Sequence, residues 1–340
     1  MRRLHLLELP LLVLPFLLLL GGGALARPST ERALARRGEA DAQLTAILQG
    51  RNVLGAVARI HYLDQERYAA RVLSRKTDTP DVDVRRDIAQ ALAQLTVPDA
   101  EAALVQLTSD EDGAVRMSAV RGLGRLHSHA VRAVRPLLSD KTLGVRREAA
   151  TALGAMHSRS LGKVLLVAAR GEDEPDARAA MLVAVGESGD VHQARGLERF
   201  LRSSSESTRL AAAQALCRLG QASGISVAKG LLASKEPLDR SHGIELLQGA
   251  PARIAGSVLR PVLADRDPHV AALAARTLAE GGDRTMIAWL VLASDRAKGT
   301  ARFPFNDALD ALQVTSEQRA AIRRRVSGKP ATSAQAGTTW

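Results

Sequence analysis

Two residue types in this chain invite a chemical reading because they repeat: histidine and arginine. His127 and His129 stand two apart, and His157 repeats the His127 position further along. Imidazole is the commonest transition-metal ligand. Stacked units would bring His127 and His157 together on one edge, with Asp99 and Glu101 in the neighbourhood. A closed metal site wants about four ligands, and the spacing fixes no fourth. The favoured reading is exposed turn histidines, with Ser128 as a cap and no metal. A metal-dependent enzyme at this edge is the most remote alternative. Cys217 is the single cysteine, so no intrachain disulfide can form. No specific histidine is placed to activate it, and a buried packing role is expected. Neither a phosphate-binding loop nor a Ser-His-Asp order is present. The chain is therefore read as non-enzymatic, with no catalytic, cofactor-binding or metal residue assigned.

The arginines carry more information. Arg85, Arg116, Arg146, Arg178, Arg209 and Arg240 recur at near-constant spacing, and Ala271 continues the series at the same interval. Seven positions after each marker lies Leu92, Leu123, Leu153, Val185, Leu216, Leu247 or Leu278. The next residue is mostly small: Ala93, Gly124, Gly154, Gly186, Cys217, Gln248, Ala279. A fixed period of about 30 residues signals stacked units that share one continuous core. Each unit has room for two helices and two turns. In the marked helix, apolar residues at −1, +3, +4 and +7 form one face, as in Val115, Ala119, Val120 and Leu123. The small residue at +8 admits a close neighbour. Asp81, Asp112, Glu174, Ser205, Glu236 and Asp267, four before the marker, suit N-caps or first-turn acids. The six ladder arginines are expected to brace neighbouring repeats through charge-assisted hydrogen bonds to nearby acids.

The pattern acid-x-x-Val-Arg-x-x-Ala-(Ala/Val)-x-x-Leu-Gly is cleanest from Asp112 to Gly124 and nearly as clean from Val145 to Gly154. It resembles the HEAT repeat of the phycobilisome-lyase type over roughly residues 64–295, with Asp239 and Ala271 replacing the usual Val and Arg. The resemblance implies an all-α fold, a right-handed α–α superhelix of about seven full repeats plus degenerate caps. It places the marked helices on the concave side, and it implies binding more often than catalysis, though fold alone does not fix function. HEAT-like deoxyhypusine hydroxylases carry His-Glu pairs, and this chain has no His-Glu dipeptide. Phycobilin lyases share the repeat, but an exported chain would not meet their substrate. HEAT-like DNA glycosylases use aromatics on a basic concave surface. Here the central array has only Phe200 and Trp289, both on the other helix series.

Export is the reading of residues 1–26. Arg2 and Arg3 precede an apolar run from Leu9 to Leu20, and Gly21–Ala26 ends in Ala-x-Ala. Cleavage after Ala26 is expected; the rival is an uncleaved anchor, since Leu9 to Ala26 is borderline for spanning a bilayer. Residues 27–40 read as a linker or frayed helix. The solenoid is placed at 41–326, with Asp41–Gln49 and Val53–Leu63 as a shortened first pair. Toward the other end, Arg296–Pro304 breaks the period and Asn306 caps a helix through Leu312. A basic last helix follows from Ser316, and residues 327–340 are a disordered tail. The expected location is periplasmic or secreted.

The formal charge is +11, and an Arg-rich coding bias suffices to produce it. On the marked helices, positions +1, +5 and +9 should face outward from the core. In the first units these include Arg86, Gln90, Arg121, Arg125 and Arg147, a basic patch for an acidic partner. The expectation is a monomeric scaffold of the cell envelope that binds another protein in its concave groove, with no cofactor and no nucleic acid. The alternative is electrostatic attachment of that groove to anionic lipid or an acidic polymer. Otherwise, membrane contact is expected only through an uncleaved leader.

Overall fold

The computed structural model describes residues 28–327. The export-signal reading of residues 1–26, and all of the expected tail except Ser327, lie outside them. Among the described residues there are nineteen α-helices and no strand. In chain order they are α1 (Pro28–Leu48), α2 (Val53–Tyr62), α3 (Glu66–Ser74), α4 (Val82–Leu95), α5 (Glu101–Leu107), α6 (Gly113–Arg125), α7 (Val131–Val134), α8 (Leu143–Ala155), α9 (Arg159–Gly171) and α10 (Pro175–Ser188). Then come α11 (Ala194–Glu198), α12 (Glu206–Arg218), α13 (Ala222–Leu232), α14 (Pro237–Glu245), α15 (Ala252–Leu259), α16 (Pro268–Glu280), α17 (Thr285–Arg296), α18 (Phe303–Ala311) and α19 (Ser316–Ser327). Short 3-10 turns extend several of the helices that alternate with the marked ones.

The marked helices are α4, α6, α8, α10, α12, α14 and α16. From α4 to α12 each packs directly on the next, whereas the alternating series meets its own members sparsely. Closer spacing gives the marked series the shorter arc, so it forms the inner, concave side. The close approach follows from the small residues at +8. A Cβ on Gly186 would come within 2.6 Å of the Ala215 backbone, and one on Gly124 within 3.3 Å of the Ala152 side chain. The helix starts follow their caps. Asp81 accepts the amides of Asp83 and Val84, Asp112 those of Ala114 and Val115, and Ser205 that of Thr208. Glu174 and Glu236 make no side-chain cap and leave the start to Pro175 and Pro237.

One terminal expectation narrows and another changes. Of the two readings given for residues 27–40, a linker or a frayed helix, the described part takes the helical one: α1 is continuous from Pro28. Its Ala, Leu, Arg and Glu content favours helix, and burial begins only at Ala40, Leu44 and Ile47. Asn306 does not cap a helix. It lies inside α18, where its Oδ1 accepts the Ser294 hydroxyl at 2.8 Å, and Pro304 opens that helix instead.

The buried side chains divide into two clusters, and the division runs through α12. Ala211, Ala212, Ala215 and Leu216 belong to the cluster that begins at Leu44. Ala213 and Cys217, on the other side of the same helix, belong to the one that ends at Val314. Cys217 is fully buried and its thiol is pushed up to about 12 by that burial. Its place is structural packing.

Candidate interaction surface

Each ladder arginine closes a turn. Its guanidinium donates to the carbonyls six and five residues earlier, closing the turn before its own helix. Arg116 bonds Asp110 O at 2.8 Å and Glu111 O at 2.9 Å. Arg209 bonds Ser203 O and Ser204 O, both at 2.9 Å. Four of the six also reach forward to a carboxylate in the following turn. Arg85 meets Asp110 at 2.8 Å, Arg116 meets Asp140 at 2.7 Å, Arg146 meets Glu172 at 2.6 Å, and Arg240 meets Asp265 at 2.7 Å. These carboxylates in turn accept an amide two residues on, those of Asp112, Thr142, Glu174 and Asp267. Arg178 and Arg209 have no such partner. At the corresponding places stand Ser203 and Ser234, whose hydroxyls keep the amide bond, to Ser205 and Glu236, and offer no charge.

The pairing shows in the ionisation of the acids. The Arg240 hydrogen bonds hold Asp265 below the usual carboxylate range. For Asp140 and Glu172, burial pushes upward but is overcome by the bonds from Arg116 and Arg146 and by backbone amides, so both are also lowered.

On the inner face, the candidate partner-binding residues separate into two groups. Arg86 holds Asp112 at 2.6 Å and Asp83 at 2.8 Å, and its hydrogen bonds lower Asp112 to about 2. Arg121 holds Glu148 at 2.8 Å. These cations are committed within the protein. Arg125 is exposed and touches only the Ala93 carbonyl, at 3.5 Å. Arg147 is exposed with no carboxylate of the described residues in salt-bridge range, and Gln90 is half-buried. The N-terminal inner face therefore carries less free positive charge than its arginine count suggests. An acid one repeat on, four before the next marker (Asp112) or two after it (Glu148), was the sequence signal for this.

Further along, the inner stack opens. α12 and α14 hardly touch, and between them lies a cleft of about 330 Å³. Leu210 and Gln214 line it from α12; His242, Glu245 and Gln248 line it from α14 and the turn after it. Beside it, Glu187 of α10 and Arg218 of α12 pair at 3.3 Å. Burial outweighs that arginine and raises the Glu187 carboxyl above its ordinary range. Leu210, Gln214 and Glu245 are legible as outward positions of the repeat. His242 is not, because it sits at +2, outside the outward positions +1, +5 and +9 read from the repeat.

The repeating histidines take a different role. His127 and His157 adopt left-handed backbone, φ 48° and 46°, two residues beyond the ends of α6 and α8. The His127 amide bonds Gly124 O and the Ser128 amide bonds Leu123 O, a Schellman closure. Gly189, Gly220 and Gly282 occupy the same register with positive φ, and that glycine series was the available signal. Both histidines are exposed. His157 Nδ1 lies 3.1 Å from the Glu187 carbonyl, and the Ser128 hydroxyl donates to Glu101 at 2.6 Å while accepting the Ala130 amide. Among the described residues, no group of three or more His, Cys, Asp or Glu is placed to share a metal ion.

A family model for HEAT repeats matches residues 69–154, from α3 to the end of α8. Among solved structures, the CpcE–CpcF complex of phycocyanin lyase from Nostoc sp. PCC7120 superposes with a TM-score of 0.52 at 18% identity, covering 72% of this chain and 94% of that one. An engineered protein superposes with a TM-score of 0.42 at 18% identity, covering 89% of this chain and 86% of the other. No curated protein sequence matches the chain. Residues 69–154 match HEAT repeats and the chain folds as a HEAT-like α-solenoid, the class of fold whose repeated helix pairs present an extended surface.

Proposed function

We propose that this protein is a non-catalytic scaffold of the cell envelope that binds another protein along its inner face. The observation that carries the reading is the opening between α12 and α14. It leaves Leu210, Gln214, His242 and Glu245 around an open cleft on a face otherwise closed by small residues. A preformed surface of mixed polar and apolar groups suits a protein segment, because little ordering cost is added on binding. Arg125 and Arg147 extend that face toward the N-terminus with charge available to an acidic partner. Arg86, Gln90 and Arg121 border them as supporting contacts. The apolar leader and its Ala-x-Ala ending support a location outside the cytoplasm, periplasmic or secreted. An exported chain would not meet the bilin substrates of the lyase it resembles in fold, which supports binding over catalysis.

The test is in-cell crosslinking of the C-terminally tagged full chain, followed by mass spectrometry, beside the Arg125→Glu/Arg147→Glu and Gln214→Arg variants. One dominant protein, lost in at least one inner-face variant, is the expected result. Recovery of the same partner by all of them would overturn the inner-face reading. Absence of the leader from the recovered chain would support export.

A further inference from the structure

The charge that the inner face lacks is on the outer one. Three consecutive outer segments, residues 131–139, 159–171 and 191–202, contain one acid between them, Glu198. The first carries Arg132 and Arg135, the second Arg159, Lys163 and Arg170, and the third Arg195, Arg199 and Arg202. All of these are exposed, and none has a carboxylate of the described residues in salt-bridge range. Outer cations beyond this strip are mixed: Arg67 and Arg71 pair with Asp99 and Arg260 with Asp283, whereas Lys229 on α13 and Arg253 on α15 are exposed and singly placed. In the same repeats, the inner-helix cations Arg116, Arg121 and Arg146 are paired, and Arg125 and Arg147 are the exposed exceptions. A uniform coding bias toward arginine does not explain a strip that holds eight cations and a single acid, Glu198.

The strip is continuous and partly apolar. On α9, Arg159, Lys163, Val167 and Arg170 fall at i, i+4, i+8 and i+11, one stripe of the helix. Val167 is 57% exposed and Val191 of the next segment 52%. Two shallow grooves flank α9. One, about 570 Å³, is lined by Arg132 and Arg135 across from Val164 and Val167. The other, about 550 Å³, is lined by Leu166 and Arg170 across from His192, Arg195 and Arg199.

We propose that this outer strip, centred on α9, docks the solenoid on an anionic lipid bilayer. Unpaired Arg and Lys on long stems reach phosphate headgroups while exposed Val167 and Val191 enter the boundary with the acyl chains, the combination that surface-lying helices use. Nucleic acid is a poorer fit, since the strip offers no exposed aromatic platform for bases. This site is separate from the inner face and from the leader, to which membrane contact is otherwise confined. It leaves the concave groove open to its own partner while the protein lies on a membrane.

The test is co-sedimentation of the full chain with neutral phosphatidylcholine vesicles and with vesicles of phosphatidylcholine and phosphatidylglycerol in a two-to-one ratio, at low and high salt. Binding to anionic vesicles should exceed binding to neutral ones and fall with salt. Each basic residue near an anionic surface strengthens binding by about fivefold, so Arg159→Glu/Lys163→Glu/Arg170→Glu should weaken it far more than tenfold. All three side chains are exposed, and unchanged helicity confirms the fold of the variant. Arg147→Glu on the inner face should bind as the unchanged chain does, and Val167→Asp should lose part of the binding. Equal binding to neutral and anionic vesicles, or retention by the triple variant, would overturn the proposal. So would a soluble acidic polymer that competes fully while Val167→Asp has no effect, since that marks an acidic macromolecule as the ligand.

Discussion

Arg116 and Arg209 hold the same place in their repeats and close their own turns with the same pair of carbonyl bonds. Only Arg116 goes on to a carboxylate, the 7%-exposed Asp140. The rungs from α4 to α9 and at α14 are thus charged and locked to the next repeat. The two between them, at α10 and α12, are closed only on themselves. In the second of these stretches the inner helices part, the buried core divides and the cleft forms. A repeat protein is stabilised by intrinsic and nearest-neighbour contributions, so weakening one coupling loosens one joint and leaves the rest of the stack in place. The two uncharged rungs differ: α10 and α12 stay closely packed through Gly186, whereas α12 and α14 part and leave an open surface between them.

That contrast can be broken most directly by removing one arginine from each class. Arg116→Ala leaves Asp140 buried and unpaired and should cost roughly 3–5 kcal/mol. Arg209→Ala removes two carbonyl bonds without stranding an acid and should cost about 1–2 kcal/mol. Denaturant unfolding, with hydrogen exchange to localise the loss, measures both; equal costs would erase the distinction between rungs.

Acid should separate the regions next. Asp112, Asp140, Glu172 and Asp265 have lowered folded-state pKa values. Their stabilisation is present above the unfolded carboxylate range near pH 4 and is lost as pH falls through the folded values. Glu187 is raised, so its protonation on the way down relieves a cost in the folded state. Between pH 6 and pH 3, normalised exchange protection should drop in α4–α9 and around α14–α16 while the α10–α12 contact holds. A uniform drop would count against the assignment.

A smaller and opposite effect is expected from supplying the missing carboxylate. Ser203→Asp places an acid opposite Arg178 in the register of Asp140, and one added charge-assisted bond should stabilise by about 1 kcal/mol. A lower melting temperature would show that the α10 turn cannot take the paired geometry. The least change should come from His127→Gly, which relieves left-handed backbone at an exposed cap and should gain up to about 1 kcal/mol. A loss would mean the imidazole contributes a contact that outweighs the backbone strain.

Much of the solenoid was readable because repetition averages out local ambiguity. Seven registered copies, most with an apolar face at −1, +3, +4 and +7 and a small residue at +8, specify helix pairs and their stacking before any contact is seen. The cap residues Asp81, Asp112 and Ser205 were readable for the same reason. The candidate site was less legible. Arg86 and Arg121 look like free surface charge from their position, and only the rise from one repeat to the next brings Asp112 and Glu148 against them.

The sequence by itself determined the period, the marked helix series and the arginine at each turn, because these depend on spacing along one chain. Tertiary structure alone decided which arginines are spent internally, where the inner stack opens, and which cations are left unpaired on the outer strip. Those outcomes depend on distances between side chains that lie nearly a full repeat apart in the chain. A Ser in place of an Asp at one such position changes the joint without changing the repeat.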